Sequence, residues 1–126
     1  MRRRKSLSKK MKNEIIEKSD GKCFYCGITL DDDLIEYDHV HPFSKGGEDN
    51  FENLVAACYL CNSYKSDKTL EEFRESIINF KEKHKKTLVG VGYHVRIARN
   101  YKMFERCFDG SFYFEQKTEE QELIYL

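Results

Sequence analysis

Two Cys-x-x-Cys pairs, Cys23/Cys26 and Cys58/Cys61, limit what this chain can fold into more than any other feature. Two thiolates separated by two residues in a tight turn can reach one tetrahedral ion, and Gly27 relieves strain at the end of the first turn. One pair would be weak evidence. Two pairs are a strong signal for a four-cysteine zinc site, and four thiolates leave no open position for water, so such a zinc is structural. The pairs lie further apart in sequence than in a minimal zinc ribbon, so something is inserted between them. The fifth cysteine, Cys107, stands alone in an apolar stretch and reads as a small hydrophobe. This pattern suits a reducing, cytoplasmic setting better than a disulfide framework.

A chain of 126 residues fits one domain, and its 40% apolar content allows only a modest core, for which a metal staple is a large gain. Charged residues make up 35% and cancel to a net charge of zero, so net charge alone does not argue for a nucleic-acid partner. The distribution says more. Met1 to Lys12 carries seven Lys/Arg and no acid, whereas Glu115 to Glu122 carries four acids against one Lys. The basic arm either lies along phosphates or is a solvated terminus. No apolar run approaches the roughly 20 residues of a membrane span, and no apolar segment follows the basic start, so neither a membrane partner nor a secretory signal is expected.

In chain order, Leu7 to Asp20 reads as a helix with Ser8 as N-cap, a narrow stripe of Met11, Ile15 and Ile16, and a stop at Gly21. Leu34 to Val40 reads as a strand, with Ile35 and Tyr37 alternating with Glu36 and Asp38. Pro42 and Gly46-Gly47 force a loop. Leu54 to Ala57 is the returning strand, and Tyr59 to Ser66 a short helix. Thr69 to Lys85 is a longer helix, with Thr69 and Glu72 as a capping box and Leu70, Phe73, Ile77 and Phe80 at helical spacing. Beyond it, Val91, Val95, Ala98 and Phe108 could line another helix, and Ser111 to Glu115 reads as a short strand after the Asp109-Gly110 turn. The dense aromatics of this region, including Phe104, Phe112, Tyr113 and Phe114, point to a second small core or a dimer surface rather than to base stacking.

The inserted segment carries reactive side chains. A neutral His near physiological pH can accept a proton from water. The hard oxygens of Asp38 and Asn62 suit Mg²⁺ or Mn²⁺. Adjacent strand residues point to opposite faces, so Asp38 and His39 could serve opposite sides of a phosphate, with Asn62 closing the site from the helix. His41, ahead of Pro42, reads as a plain loop histidine.

The stretch EYDHVHPFSKGGEDNFENLVAACYLCNSYKSDK, Glu36 to Lys68, together with Cys23 and Cys26, resembles the HNH endonuclease motif, the ββα-metal or His-metal finger. The resemblance covers about 22–68. It implies His39 as general base, Asp38 and Asn62 as ligands of a catalytic divalent ion, and Asn53 as the residue that ties down the loop and orients the base. It also implies Cys23, Cys26, Cys58 and Cys61 as a zinc knuckle. Asn62 stands where the family usually has His, giving an H-N-N signature and an expected preference for Mg²⁺. Lys45, Lys65 and Lys68 flank the site as candidate phosphate contacts.

The expected fold is α+β: a small ββα-metal core (22–68) stapled by zinc, a basic arm and helix before it (1–21), and a helical extension after it (69–126) ending in a short strand. The expected function is metal-dependent hydrolysis of DNA, with RNA and homodimerisation through the C-terminal segment left open. Bacterial or phage defence is one of several settings that use the motif. The alternative is an inactive zinc-knuckle module that binds nucleic acid or protein.

Overall fold

The computed structural model describes residues 6–84, 103–105 and 110–117. The first helix, α1 (Lys9–Lys18), begins where the Ser8 side chain accepts a hydrogen bond from the Met11 N–H at 3.1 Å. Its narrow apolar stripe buries Ile15 completely, with Met11 and Ile16 beside it. At its end the Lys18 ammonium donates to the Leu54 carbonyl at 2.7 Å, joining α1 to the start of a strand. Burial there lowers the Lys18 pKa, partly offset by the Glu52 carboxylate.

Strands β1 (Glu36–His39) and β2 (Leu54–Ala57) form an antiparallel hairpin in which Asp38 faces Val55 and His39 faces Leu54. All four residues of β2 are buried, which explains its unbroken apolar run. Leu54 and Ala56 pack towards α1; Val55 and Ala57 belong to an aromatic core on the other face. β1 is shorter than its apolar alternation suggests, because Asp32–Leu34 forms a 3-10 turn capped by the Asp31 side chain.

Two helices follow β2. Helix α2 (Tyr59–Lys65) starts at Cys58 and ends at Ser66, whose φ is +53°. Helix α3 (Leu70–His84) opens on the expected capping box: Glu72 Oε1 accepts from the Thr69 N–H at 2.9 Å, and Thr69 Oγ1 from the Glu72 N–H at 3.2 Å.

The Ser111 to Glu115 strand does not form. Residues 113–117 are helical instead. Aromatic residues favour strands in isolation, but here tertiary contacts decide. Phe112 is buried against Phe73, with ring centroids 5.2 Å apart, and the Glu115 carboxylate accepts the Phe112 N–H at 2.9 Å, as an N-terminal helix cap does. The N–H groups of Tyr113 and Phe114 donate to the carbonyls of Tyr25 and Phe24. Arg74 grips Glu115 at 2.7 and 3.0 Å, fixing this turn to α3.

Among the described residues, these aromatics do not make a second core. Phe104 and Phe112 share one cluster with Tyr25, Phe73 and Ile77, and Phe114 stacks on Phe24 at 4.2 Å. The candidate helix face of Val91, Val95, Ala98 and Phe108 lies outside the described residues, as do the basic residues 2–5. Among the described residues no helix is long and apolar enough to cross a membrane.

Candidate metal centre and cleft

The four paired cysteines come together. Their sulfur atoms all lie within 4.8 Å of one another, in a setting where three of the four residues are buried. Tetrahedral zinc–thiolate bonds of about 2.3 Å require sulfurs about 3.8 Å apart; Cys26 and Cys58 Sγ are separated by 3.8 Å. That spacing excludes a disulfide and matches a shared ion. The local fold delivers each thiol. Gly27, at φ +81°, closes the first turn, and Cys58 is the N-cap of α2, its sulfur accepting the Cys61 N–H at 3.4 Å.

The thiols also show what a cation contributes. Hydrogen bonds from Cys26, Cys58 and Cys61 lower the Cys23 pKa. The Cys61 thiol is pushed well up, chiefly by its hydrogen bonding with Cys23, then Cys26 and Cys58, and by burial. Ionising all four thiols therefore needs a positive charge among them.

On the other side of α2 lies an open cleft of about 370 Å³. Asp38 and His39 from β1, Phe43 and Ser44 from the connecting loop, and Asn62 and Ser66 from α2 line it. The three chemically distinctive side chains of the motif thus share one cavity. Asp38 and His39 are only 8% and 7% exposed, so their partners fix their geometry. Asp38 Oδ2 accepts from the Tyr25 hydroxyl at 2.6 Å and pairs with the Lys65 ammonium at 3.0 Å. Burial, the Asp38 charge and the hydrogen bond raise the Tyr25 pKa well above its ordinary value, so the phenol remains a donor. His39 Nε2 lies 2.9 Å from Asp49 Oδ1. The Asn62 side chain makes no hydrogen bond among the described residues and lines the cleft.

Asn53 lies outside the cleft lining and holds the loop. Its Oδ1 accepts the His41 N–H at 2.9 Å, and its Nδ2 donates to the carbonyls of His41 (2.9 Å) and Glu48 (2.8 Å). His41 itself is exposed, with Nε2 at 3.1 Å from the Lys45 carbonyl, and the strand has ended before it. The same loop needs Gly47, where a Cβ would meet the His41 carbonyl oxygen at 1.9 Å.

The three lysines are placed differently from one another. Lys65 is fully buried, its ammonium bridging Asp38 and the His39 carbonyl (2.9 Å), a position inside the fold rather than on a phosphate-facing surface. Lys45 is exposed and pairs with Glu72 at 2.9 Å, and Lys68 donates to the Tyr64 carbonyl at 2.9 Å.

Sequence reasoning missed two residues beside the candidate site, Tyr25 and Asp49, and the buried placement of Lys65. Lys65 carried a signal, since it lies three residues after Asn62 on one helix face. Asp49 carried none, because only the loop's tertiary path brings it to His39.

The thiols suit zinc, and they form the only such cluster of three or more His, Cys, Asp or Glu among the described residues. The cleft offers a carboxylate and an amide oxygen, which suit a hard ion that keeps water ligands.

Residues 23–78 match a family model described as HNH endonuclease. No curated protein matches the sequence. Among solved structures, the chain is similar to the "Crystal structure of the Type II-C Cas9 enzyme from Actinomyces naeslundii", at 20% identity and a TM-score of 0.43. The match covers 82% of this chain and 13% of that one.

Proposed function

Because residues 23–78 form an HNH-like nuclease domain with a four-cysteine cluster resembling a zinc knuckle, we propose that the chain is a metal-dependent endonuclease that hydrolyses DNA phosphodiester bonds. The observation that carries this reading is the presence of Asp38, His39 and Asn62 around one cleft. Hydrolysis needs a base and metal-binding oxygens directed at the same phosphate.

Asp38 and Asn62 would hold a divalent ion, Mg²⁺ or Mn²⁺. When bound, that ion supplies Lewis-acid stabilisation of charge on the phosphate and leaving oxygens. His39 takes the proton of the attacking water. A carboxylate only accepts hydrogen bonds, so the His39 nitrogen facing Asp49, Nε2, carries the hydrogen, and Nδ1 holds the lone pair that acts as base. Asp49 then faces the imidazolium that forms and stabilises it, the role an acidic partner plays for other catalytic histidines. Asn53 supports this arrangement indirectly by clamping His41 and Glu48, the residues that frame the Asp49 loop. The free thiols of the paired cysteines fit a reducing compartment.

Two ion pairs favour a second reading, a zinc-stapled nucleic-acid-binding module without hydrolysis. The Lys65 ammonium already balances the Asp38 charge, and Asp49 already pairs with His39. The HNH-like domain and the cysteine cluster are all that this module requires.

Plasmid cleavage by the purified protein in Mg²⁺ or Mn²⁺ separates the two. The nuclease reading expects His39→Ala to lose at least about 100-fold in rate, the contribution of a general base, with zinc content and circular dichroism unchanged. A wild-type protein that binds DNA or RNA but cuts neither in either metal would establish the binding module instead.

A further inference from the structure

We infer that Tyr25 is a positioning residue for the divalent ion at Asp38, so that the zinc knuckle, besides stapling the fold, sets the geometry of the cleft. The inference rests on Asp38 being a ligand of that ion. Tyr25 lies inside the first thiol turn, between Cys23 and Cys26, and is 0% exposed. Its ring is wedged edge-on against Phe73 and Phe112, at centroid distances of 5.3 and 5.6 Å. Its carbonyl accepts the Tyr113 N–H at 2.9 Å. With backbone and ring both fixed, the hydroxyl is carried to one point, 2.6 Å from Asp38 Oδ2.

The cation paired with Asp38 approaches the same oxygen. Lys65 Nζ lies 3.0 Å from Oδ2, and Lys65 sits on α2, the helix that begins at Cys58 and carries Cys61. Each thiol pair is therefore linked to one partner of Asp38, a hydrogen-bonding phenol and an ammonium, and both converge on Oδ2. Among the described residues the hydrogen bond to the Asp38 carboxylate falls on Oδ2 and none falls on Oδ1, and Asp38 lines the cleft. The carboxylate is thereby held to offer one oxygen, Oδ1, to an ion. A phenylalanine would fill the aromatic core equally well, so packing alone does not require the hydroxyl. Partners that orient a metal-binding carboxylate from behind typically change metal affinity by about 10–100-fold when removed.

The test is Mn²⁺ binding, read as free Mn²⁺ by electron paramagnetic resonance, on zinc-loaded wild type, Tyr25→Phe and Asp38→Asn. Tyr25→Phe is expected to weaken Mn²⁺ binding about tenfold or more, with one zinc per chain and an unchanged circular dichroism spectrum; Asp38→Asn should abolish the site. Wild-type affinity in Tyr25→Phe, alongside loss in Asp38→Asn, overturns the positioning role and leaves Asp38 as a ligand. Mn²⁺ binding that is indifferent to Asp38→Asn overturns the ligand reading, and the inference with it. If Tyr25→Phe does not retain zinc, the wild-type protein decides. Its Tyr25 ζ-carbon resonance should move on Mg²⁺ titration with the affinity of the cleft, and a resonance that stays fixed through saturation overturns the inference.

Discussion

The Lys65 ammonium and the Asp38 carboxylate form a pair at 3.0 Å in which the lysine is fully buried and the acid side chain only 10% exposed. Lys65 also donates to the His39 carbonyl, so a single cation ties α2 to the end of β1, where the reactive side chains begin. Removing one partner of a buried pair leaves the other charge poorly compensated. Lys65→Met is expected to destabilise the protein by about 3 kcal/mol, measured by urea unfolding of the zinc-loaded form. A loss below about 1 kcal/mol, the scale of a surface pair, would mean that the contact contributes little.

Asn53 makes three hydrogen bonds across the loop, two to His41 and one to Glu48. At about 1 kcal/mol net for each bond, Asn53→Ala should cost about 2–3 kcal/mol. The loss should be local: the His41 amide, whose acceptor disappears, should exchange with solvent much faster while amides of α3 keep their protection. Uniform loss of protection would show that Asn53 supports the whole fold instead.

Zinc removal should have a broader effect. The thiol cluster sits within the same aromatic core as Tyr25, Phe73 and Phe112. Ligand deprotonation and folding are coupled in such sites. A strong chelator, or Cys61→Ser, should release one zinc per chain and abolish the cooperative thermal transition seen by circular dichroism. A metal-free protein with an undiminished transition would reduce the cluster to a dispensable feature.

Glu72 links α3 to the loop. Its pKa is lowered to about 2, first by the hydrogen bond from Lys45, then by the Thr69 N–H and hydroxyl. A carboxylate whose folded pKa lies below its unfolded value stabilises the fold above the unfolded pKa, and that contribution is lost as pH falls through the folded one. The stability difference between wild type and Glu72→Gln should therefore be constant from pH 6 to 8 and shrink from about pH 4.5 towards 2. Because the pair is exposed, salt should reduce the difference. A difference that grows on acidification would be inconsistent with this charge pairing.

Much of the architecture was legible because its signals are local. The Ser8 cap, the Thr69/Glu72 capping box and the unbroken Leu54–Ala57 run each depend on residues within a few positions of one another. The aromatic tail was read less well. Ser111 to Glu115 has the composition of a strand, yet residues 113–117 coil because Phe112 is drawn into the core beside Phe73 and Glu115 is held by Arg74. Period and propensity cannot register contacts from 41 residues away.

The sequence alone determined the four-cysteine site and the hairpin between its halves, because thiol spacing and apolar patterning are local signals, and its resemblance to a known motif singled out Asp38, His39, Asn53 and Asn62 as candidates. The tertiary structure decided how those groups are held. It placed Tyr25 and Lys65 on one oxygen of Asp38 and Asp49 on His39, and it turned Lys65 from an apparent surface cation into a buried one. These are contacts between residues 10 to 27 positions apart. They arise only when the hairpin, the thiol turn and α2 close around a common centre.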